Sequence, residues 1–213
     1  MTRWSPTRYP RSLVKEENMA RPREFDMHEA MEAAISTFWE RGYEATSMDD
    51  LLNAMGLTKG SLYKAFGDKH NLFLLSLEDY LDSLFEKMKI AVESDRNPER
   101  ALISLLGLME ILCCKQDTPK GCFAVNTVVE LSQRDAKASE VLKKHLIRVE
   151  KLLSKLISNG QLSGVFRSDL SSEHLAEALF VYIFGMLAQS RGIVNQARTK
   201  RLCAFALTML KSH

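Results

Sequence analysis

Met55-Gly56-Leu57-Thr58-Lys59-Gly60-Ser61-Leu62-Tyr63-Lys64-Ala65-Phe66 is the stretch on which the reading of this 213-residue chain turns. Just upstream, Thr46 or Ser47 is placed to cap a short helix, and Asp49 and Asp50 fall in its first turn, where the positive end of the helix dipole favours carboxylates. Leu51, Leu52 and Met55 give that helix an apolar side, and Gly56 ends it. A second helix follows at once, from about Lys59 to Phe66, with Leu62 and Phe66 facing inward; Gly67 stops it and Asp68 caps the next. Two short helices joined by a sharp turn are the organisation of a helix-turn-helix. The turn must be tight because the second helix has to protrude into a major groove about 12 Å wide. Gly56 supplies positive φ at little cost, and Leu57 plugs the angle. By itself a glycine between two helices is a weak signal, because many helical pairs are joined that way.

Outward from this core the pattern stays helical. Met27 to Arg41 reads as a first helix, with Ala30, Ala34, Ile35 and Phe38 on one face and Gly42 at its C-terminal cap. After Asp68, Phe73, Leu77, Leu81, Leu84 and Met88 form a stripe at helical spacing from about Lys69 to Val92. Five more helical segments follow Pro98: 99–114, 121–133, 137–159, 172–194 and 197–211. Residues 101–112 are apolar nearly all round, as expected inside a bundle, whereas 137–159 is amphipathic through Leu142, Leu146, Val149, Leu153, Leu156 and Ile157. Gly160 and Gly164 read as bracketing a loop before Phe166. No segment alternates as a strand does. The expected fold is all-α with about nine helices: a basic arm over residues 1–24, a three-helix DNA-binding domain over 25–72, and a helical bundle over 73–213.

Composition narrows the classes further. Hydrophobic residues make up 46% and charged residues 26%, ordinary for a globular protein. No apolar run reaches the roughly 18 residues of a membrane span, and the first eighteen residues lack the apolar stretch of an export signal; a cytoplasmic protein is expected. The net charge of +2 says little about nucleic acid, and residues 1–75 hold ten Lys and Arg against eleven Asp and Glu. The basic groups are patterned instead: six of them against two acids over residues 1–23, then Lys59, Lys64 and Lys69 around the second short helix. Any DNA contact must therefore be local and geometric.

The wider string, Phe38-x3-Gly42-Tyr43-x2-Thr46-Ser47-Met48, then Met55 to Phe66, then Lys69-x2-Leu72, closely resembles the signature of the TetR family of regulators over about residues 25–75. Leu51-Leu52 stands where Ile-Ala is usual, and Met55 where a small residue is; both positions stay apolar. The resemblance implies a dimeric, one-component repressor released by a small molecule, with a palindromic double-stranded operator as partner. It also implies roles. Thr58, Lys59, Gly60 and Ser61 would meet base edges, Tyr63, Lys64 and Lys69 phosphates, and the helix start at Thr46 and Ser47 a further phosphate. Arg21 and Arg23 would reach an adjacent groove. The bland reading of the lysines is a solvated surface, that of Tyr63 packing on Phe66, and that of Ser47 a helix cap. In the family the last two helices form a four-helix dimer interface. Here the stripes Leu175, Leu179, Tyr182, Ile183, Met186 and Leu187, and Leu202, Phe205, Leu207, Met209 and Leu210, would supply it, although a monomer could use the same residues as core.

Four cysteines remain: Cys113, Cys114, Cys122 and Cys203. The string Gly121-Cys122-x3-Asn126 looks like a branch of the TetR family in which a cysteine here is frequent and some repressors answer to electrophiles or oxidants. A thiol at a helix start beside Lys120 would have a lowered pKa. Glu110 and Asn126 would add polar groups to the same pocket as Cys113, Cys114 and Cys122. Against this stands the ordinary fate of free cysteine, a small buried hydrophobe. No catalytic group, cofactor or metal site is expected: no nucleophile–base spacing appears, the histidines are isolated, and the thiols lack a fourth ligand. The effector and the operator sequence are not legible.

Overall fold

The computed structural model describes residues 26–114, 120–193 and 195–212. The expected arm, with Arg21 and Arg23, lies outside the described residues. Among those described there are nine helices: α1 (Met27–Arg41), α2 (Met48–Met55), α3 (Lys59–Phe66), α4 (Lys69–Glu93), α5 (Pro98–Cys114), α6 (Phe123–Leu131), α7 (Ala136–Leu162), α8 (Ser172–Gln189) and α9 (Gln196–Leu210). The all-α class is as the periodicity predicts. The chain divides into two compact units, the first closing at Ser76 and the second opening at Leu77, so the division falls inside α4.

The first unit is built on aromatic packing. Phe38, Phe66 and Phe73 are fully buried with Met31, Leu51, Leu62 and Leu72, and the Phe38 and Phe73 rings meet edge to face at 5.2 Å, a favoured aromatic geometry. Ile35 and Leu52, expected inside, are only half-buried, and Met31 is buried in full. Gly56 adopts the left-handed conformation at φ 64°, ψ 28°, and its N–H donates to the Leu52 carbonyl. That geometry ends α2 and turns the chain into α3 within three residues.

The second unit packs α5 against α7, α8 and α9, with Leu102, Leu105, Leu153, Ile157 and Leu179 at its centre. α7 runs three residues past the expected end because Gly160 is a helical contact and not a loop hinge. A Cβ there would overlap the Phe166 ring, so the glycine lets that fully buried ring pack against the helix backbone. Phe166 and Lys211 form an antiparallel bridge that ties the segment after α9 to the α7–α8 loop. α6 is shorter than expected, starting at Phe123, and α8 ends at Gln189.

One expectation needs correction. Leu175, Leu179, Ile183, Met186 and Leu187, assigned from sequence to a dimer interface, are buried within this chain's own core. The apolar surface that α8 and α9 leave exposed is a neighbouring stripe: Ala178, Val181 and Ala188 with Phe205, where Val181 is 68% and Phe205 56% exposed. A Cβ built at Gly185, on the same side of α8, would meet nothing within 4 Å. Periodicity finds a stripe, but it cannot say which of two apolar faces the protomer uses for itself.

Candidate functional site

The first unit presents the start of α3 to solvent. Thr58 is its N-cap, accepting from the Ser61 N–H at 3.2 Å, with the two hydroxyls 3.0 Å apart. Thr58, Lys59, Gly60 and Lys64 are exposed, and Tyr63 is 44% exposed. A side chain at Gly60 would point into open space, so nothing covers the backbone where it could approach another molecule. Lys59 Nζ lies 6.0 Å from the Tyr63 ring centroid. Leu62 and Phe66, on the opposite face, are buried. The helix is thus anchored by one side and bare on the other.

α2 begins with a complete capping box. Asp50 N–H donates to Ser47 Oγ at 3.1 Å, and Ser47 N–H donates to Asp50 Oδ2 at 2.9 Å. The Ser47 hydrogen bonds, together with Arg41, hold the Asp50 carboxyl below its ordinary range. Ser47 stays exposed at the helix start. Thr46 does not match its expected role: its side chain is 1% exposed and its hydroxyl donates to the Gly42 carbonyl at 2.6 Å. It closes the α1–α2 turn and has no free face for a phosphate. Lys69 opens α4 with Nζ 4.4 Å above the Tyr43 ring, a cation–π contact that fixes where its charge sits.

The second unit contains a cavity of about 310 Å³, within the range of small-molecule pockets. Its walls come from α4 (Leu84, Met88), α5 (Met109), α6 (Val125, Val128), α7 (Leu142, Leu146, Val149) and α8 (Phe180, Ile183, Phe184, Leu187). Ser132, Ser139, Lys143, His145 and Cys122 are its polar members, and among the described residues that line it none is Asp or Glu. Leu142 and Leu146, expected as core, are half-buried because they face this space.

His145 is the group that sequence reasoning missed. Isolated in the sequence, it is buried and lines the cavity, and its Nδ1 has no hydrogen-bond partner among the described residues. Leaving such an atom unsatisfied costs about 1–3 kcal/mol. Burial, reinforced by the Arg148 guanidinium and opposed by Asp82, lowers its pKa to about 4. Arg148 is itself paired with Asp82 and lies over the Phe85 ring, which meets His145 edge to face. The imidazole is therefore neutral at physiological pH.

The expected sensor cluster does not assemble around this cavity. Cys122 lines it, but the thiol is buried, and the burial cost pushes its pKa up. The Tyr80 hydroxyl, 3.5 Å away, and the amides of Val125 and Ala124 pull downward as a helix start should, and they are outweighed. Cys113 is raised to about 12, by burial first and then by the neighbouring thiols; Cys203 is raised to about 11 by burial and Glu110. Cys114 contacts Thr199 at 3.2 Å. Glu110 accepts from Gln196 at 3.2 Å and lies 4.0 Å from Lys200, linking α5 to α9. Asn126 donates to the Lys120 carbonyl at 3.0 Å and packs beside Gly121, whose φ is +73°. The Gly-Cys-x3-Asn string is thus a loop closure before α6. Neither Glu110 nor Asn126 reaches the cavity. Among the described residues no three His, Cys, Asp or Glu are placed to hold a metal ion, and no helix is long and apolar enough to cross a membrane.

Two capped helices joined by a left-handed glycine, the second with a bare start above a buried aromatic core, have the form of a helix-turn-helix. Comparison with known proteins agrees. The pattern described as "Bacterial regulatory proteins, tetR family" matches residues 30–75, and that of the "Tetracyclin repressor-like, C-terminal domain" matches residues 98–205. The chain belongs to the TetR family, whose members are regulators of transcription and not enzymes. The HTH-type transcriptional repressor ComR of Escherichia coli is 31% identical over 192 residues, 90% of each chain. A cysteine mutant of the regulator CifR, solved with a 26-bp operator duplex, is 26% identical with a TM-score of 0.78, over 90% of this chain and 100% of that one. Reduced NemR of E. coli, at 18% identity and TM-score 0.75 over 87% and 97%, shares the fold.

The neutral His145 makes stability depend on pH in a definite direction. Its folded pKa lies below the ordinary 6.5, so the unfolded chain binds more protons between about pH 6.5 and 4. The stability present above pH 6.5 is lost as pH falls through that window, up to on the order of 3 kcal/mol. Urea unfolding at several pH values should show this loss in the wild type and a flatter profile in His145→Leu. Parallel profiles would mean that the imidazole titrates in the fold as it does in the unfolded chain.

Proposed function

We propose that this chain is a homodimeric transcriptional repressor that reads a palindromic operator with α3 and leaves it when a small apolar molecule fills the cavity of the second unit. The observation that carries the DNA reading is the bare start of α3, where Lys59, Gly60, Tyr63 and Lys64 are exposed above a buried aromatic core. Lys59 can reach guanine acceptors, Ser61 lies on the same first turn, and Tyr63, Lys64 and Lys69 suit phosphates. The α2 start, where Ser47 is exposed, suits another phosphate. ComR is named a repressor, and CifR was solved on operator DNA; both support the reading.

Two-fold operators need two recognition helices about 34–36 Å apart, hence two copies. We assign the contact between them to the exposed stripe of Val181 and Phe205, with Tyr182, whose hydroxyl donates to the Leu202 carbonyl and locks α8 to α9 beneath that stripe. Release follows from the continuity of α4. Leu84 and Met88 line the cavity on the same helix that Lys69 opens, so a ligand that displaces them biases the DNA-competent population. The Gly121-Cys122-x3-Asn126 string is read as the mark of a branch of the family. A reversible ligand is preferred to thiol modification as the trigger, because Cys122 is held as the protonated, less reactive thiol.

Ser47 and Thr58 are committed to caps, whose loss costs about 1 kcal/mol of stability, and the Ser61 hydroxyl lies 3.0 Å from that of Thr58; Lys59 and Tyr63 are the cleaner probes. In gel shifts on the DNA upstream of its own gene, Lys59→Ala and Tyr63→Ala should each weaken specific binding by about 1–3 kcal/mol with helical content intact. Wild-type affinity in both would remove α3 from the DNA interface. Sedimentation of Phe205→Glu and Val181→Glu should give folded monomers that no longer retain operator DNA, since a buried charge is strongly penalised. A folded variant that stays dimeric would place the interface elsewhere.

A further inference from the structure

The chemistry of the cavity's ligand can be taken further than its apolarity, and this step rests on the reading of the cavity as the effector site. Five helices line the space with aliphatic and aromatic side chains. Within this lining one polar atom stands out: His145 Nδ1, buried and without a partner among the described residues. Buried polar atoms are paired in the great majority of cases, and His145, which carries this unpaired one, lines the cavity; we take it as the place for a ligand atom.

We propose that the cavity selects an uncharged, mainly apolar molecule bearing a hydroxyl group, a phenol or an alcohol, held by a hydrogen bond to His145 Nδ1. Three observations select this class. The described lining offers no carboxylate to a cation, and a buried unpaired charge is costly. The guanidinium nearest His145, that of Arg148, is already engaged by Asp82, and the lining cation Lys143 is exposed to water, so neither offers an anion a buried partner. A neutral imidazole carries its proton on either nitrogen, so Nδ1 is a donor in one tautomer and an acceptor in the other. A carbonyl satisfies only the first and an amine acts best with the second. A hydroxyl both donates and accepts, and so meets Nδ1 in whichever tautomer the site holds.

The test uses a matched pair of fluorescent probes, 2-naphthol and naphthalene, titrated into the full-length protein. Their intrinsic difference in hydration cancels when the ratio of the two affinities is compared between variants. Both probes should bind the wild type, and the ratio favouring naphthol should fall about tenfold in His145→Leu, the worth of one hydrogen bond to a buried group. His145→Asn, which offers an amide near the place of Nδ1, should keep the preference. If the leucine variant does not fold, His145→Phe, apolar and planar, serves in its place. An unchanged ratio with both probes bound would overturn the role of His145 and leave the effector cavity standing. Binding of neither probe to the wild type would overturn both. Tighter binding of 2-naphthoate than of 2-naphthol, lost in Lys143→Ala, would replace the hydroxyl class with a carboxylate read at Lys143.

Discussion

Taking a polar group out of water costs free energy unless a partner replaces the water, and this constraint separates structural from functional residues in both units. Around α2 and α3 it commits the Thr46 hydroxyl to the Gly42 carbonyl, Ser47 to Asp50, and Thr58 to Ser61. What remains at the surface is the set of polar ends that the helices do not need, on Lys59, Tyr63 and Lys64. In the second unit the same constraint keeps the buried cysteines protonated, occupies Asn126 with the Lys120 carbonyl and sets Glu110 against α9. His145 Nδ1 is the described buried side-chain atom that this accounting leaves over. A protein tolerates such an atom where something else completes it.

The three-helix region was largely legible in the sequence because its determinants are local. Caps, a left-handed glycine and the spacing of Leu51, Leu62 and Phe66 act within a few residues of one another. Lys59 to Phe66 and Met27 to Arg41 are therefore helices with the bounds that caps and periodicity predict. The second unit was legible as a count of helices and misread in its faces. The α8 stripe through Leu179 and Met186 is apolar, but so is its neighbour through Val181, and only the packing of α5 and α7 decides which turns inward. The sequence leaves open whether Thr46 or Ser47 caps α2, because two adjacent hydroxyl residues can each cap a helix; Ser47 does.

Cys122 shows how two valid local arguments can be settled by a third. The helix start does lower its pKa through the amides of Ala124 and Val125, as position predicts, yet burial raises it by more. Burial is a property of the tertiary fold and leaves no mark in ten residues of sequence. His145 escaped notice for the same reason. As a lone histidine amid lysines and leucines of α7, it becomes informative only when Phe85, Arg148 and the cavity wall surround it.

In the proposed repressor the cavity and the DNA-reading surface would be coupled through one equilibrium. Coupling between two binding sites is reciprocal, so a ligand that weakens DNA binding must itself be weakened by DNA to the same factor. Titration of 2-naphthol into the protein, with and without saturating operator duplex, measures that factor at the cavity. The proposed coupling predicts a several-fold weaker naphthol affinity on the operator complex, equal to the loss of operator affinity at saturating naphthol. Identical naphthol affinities with and without operator would contradict it.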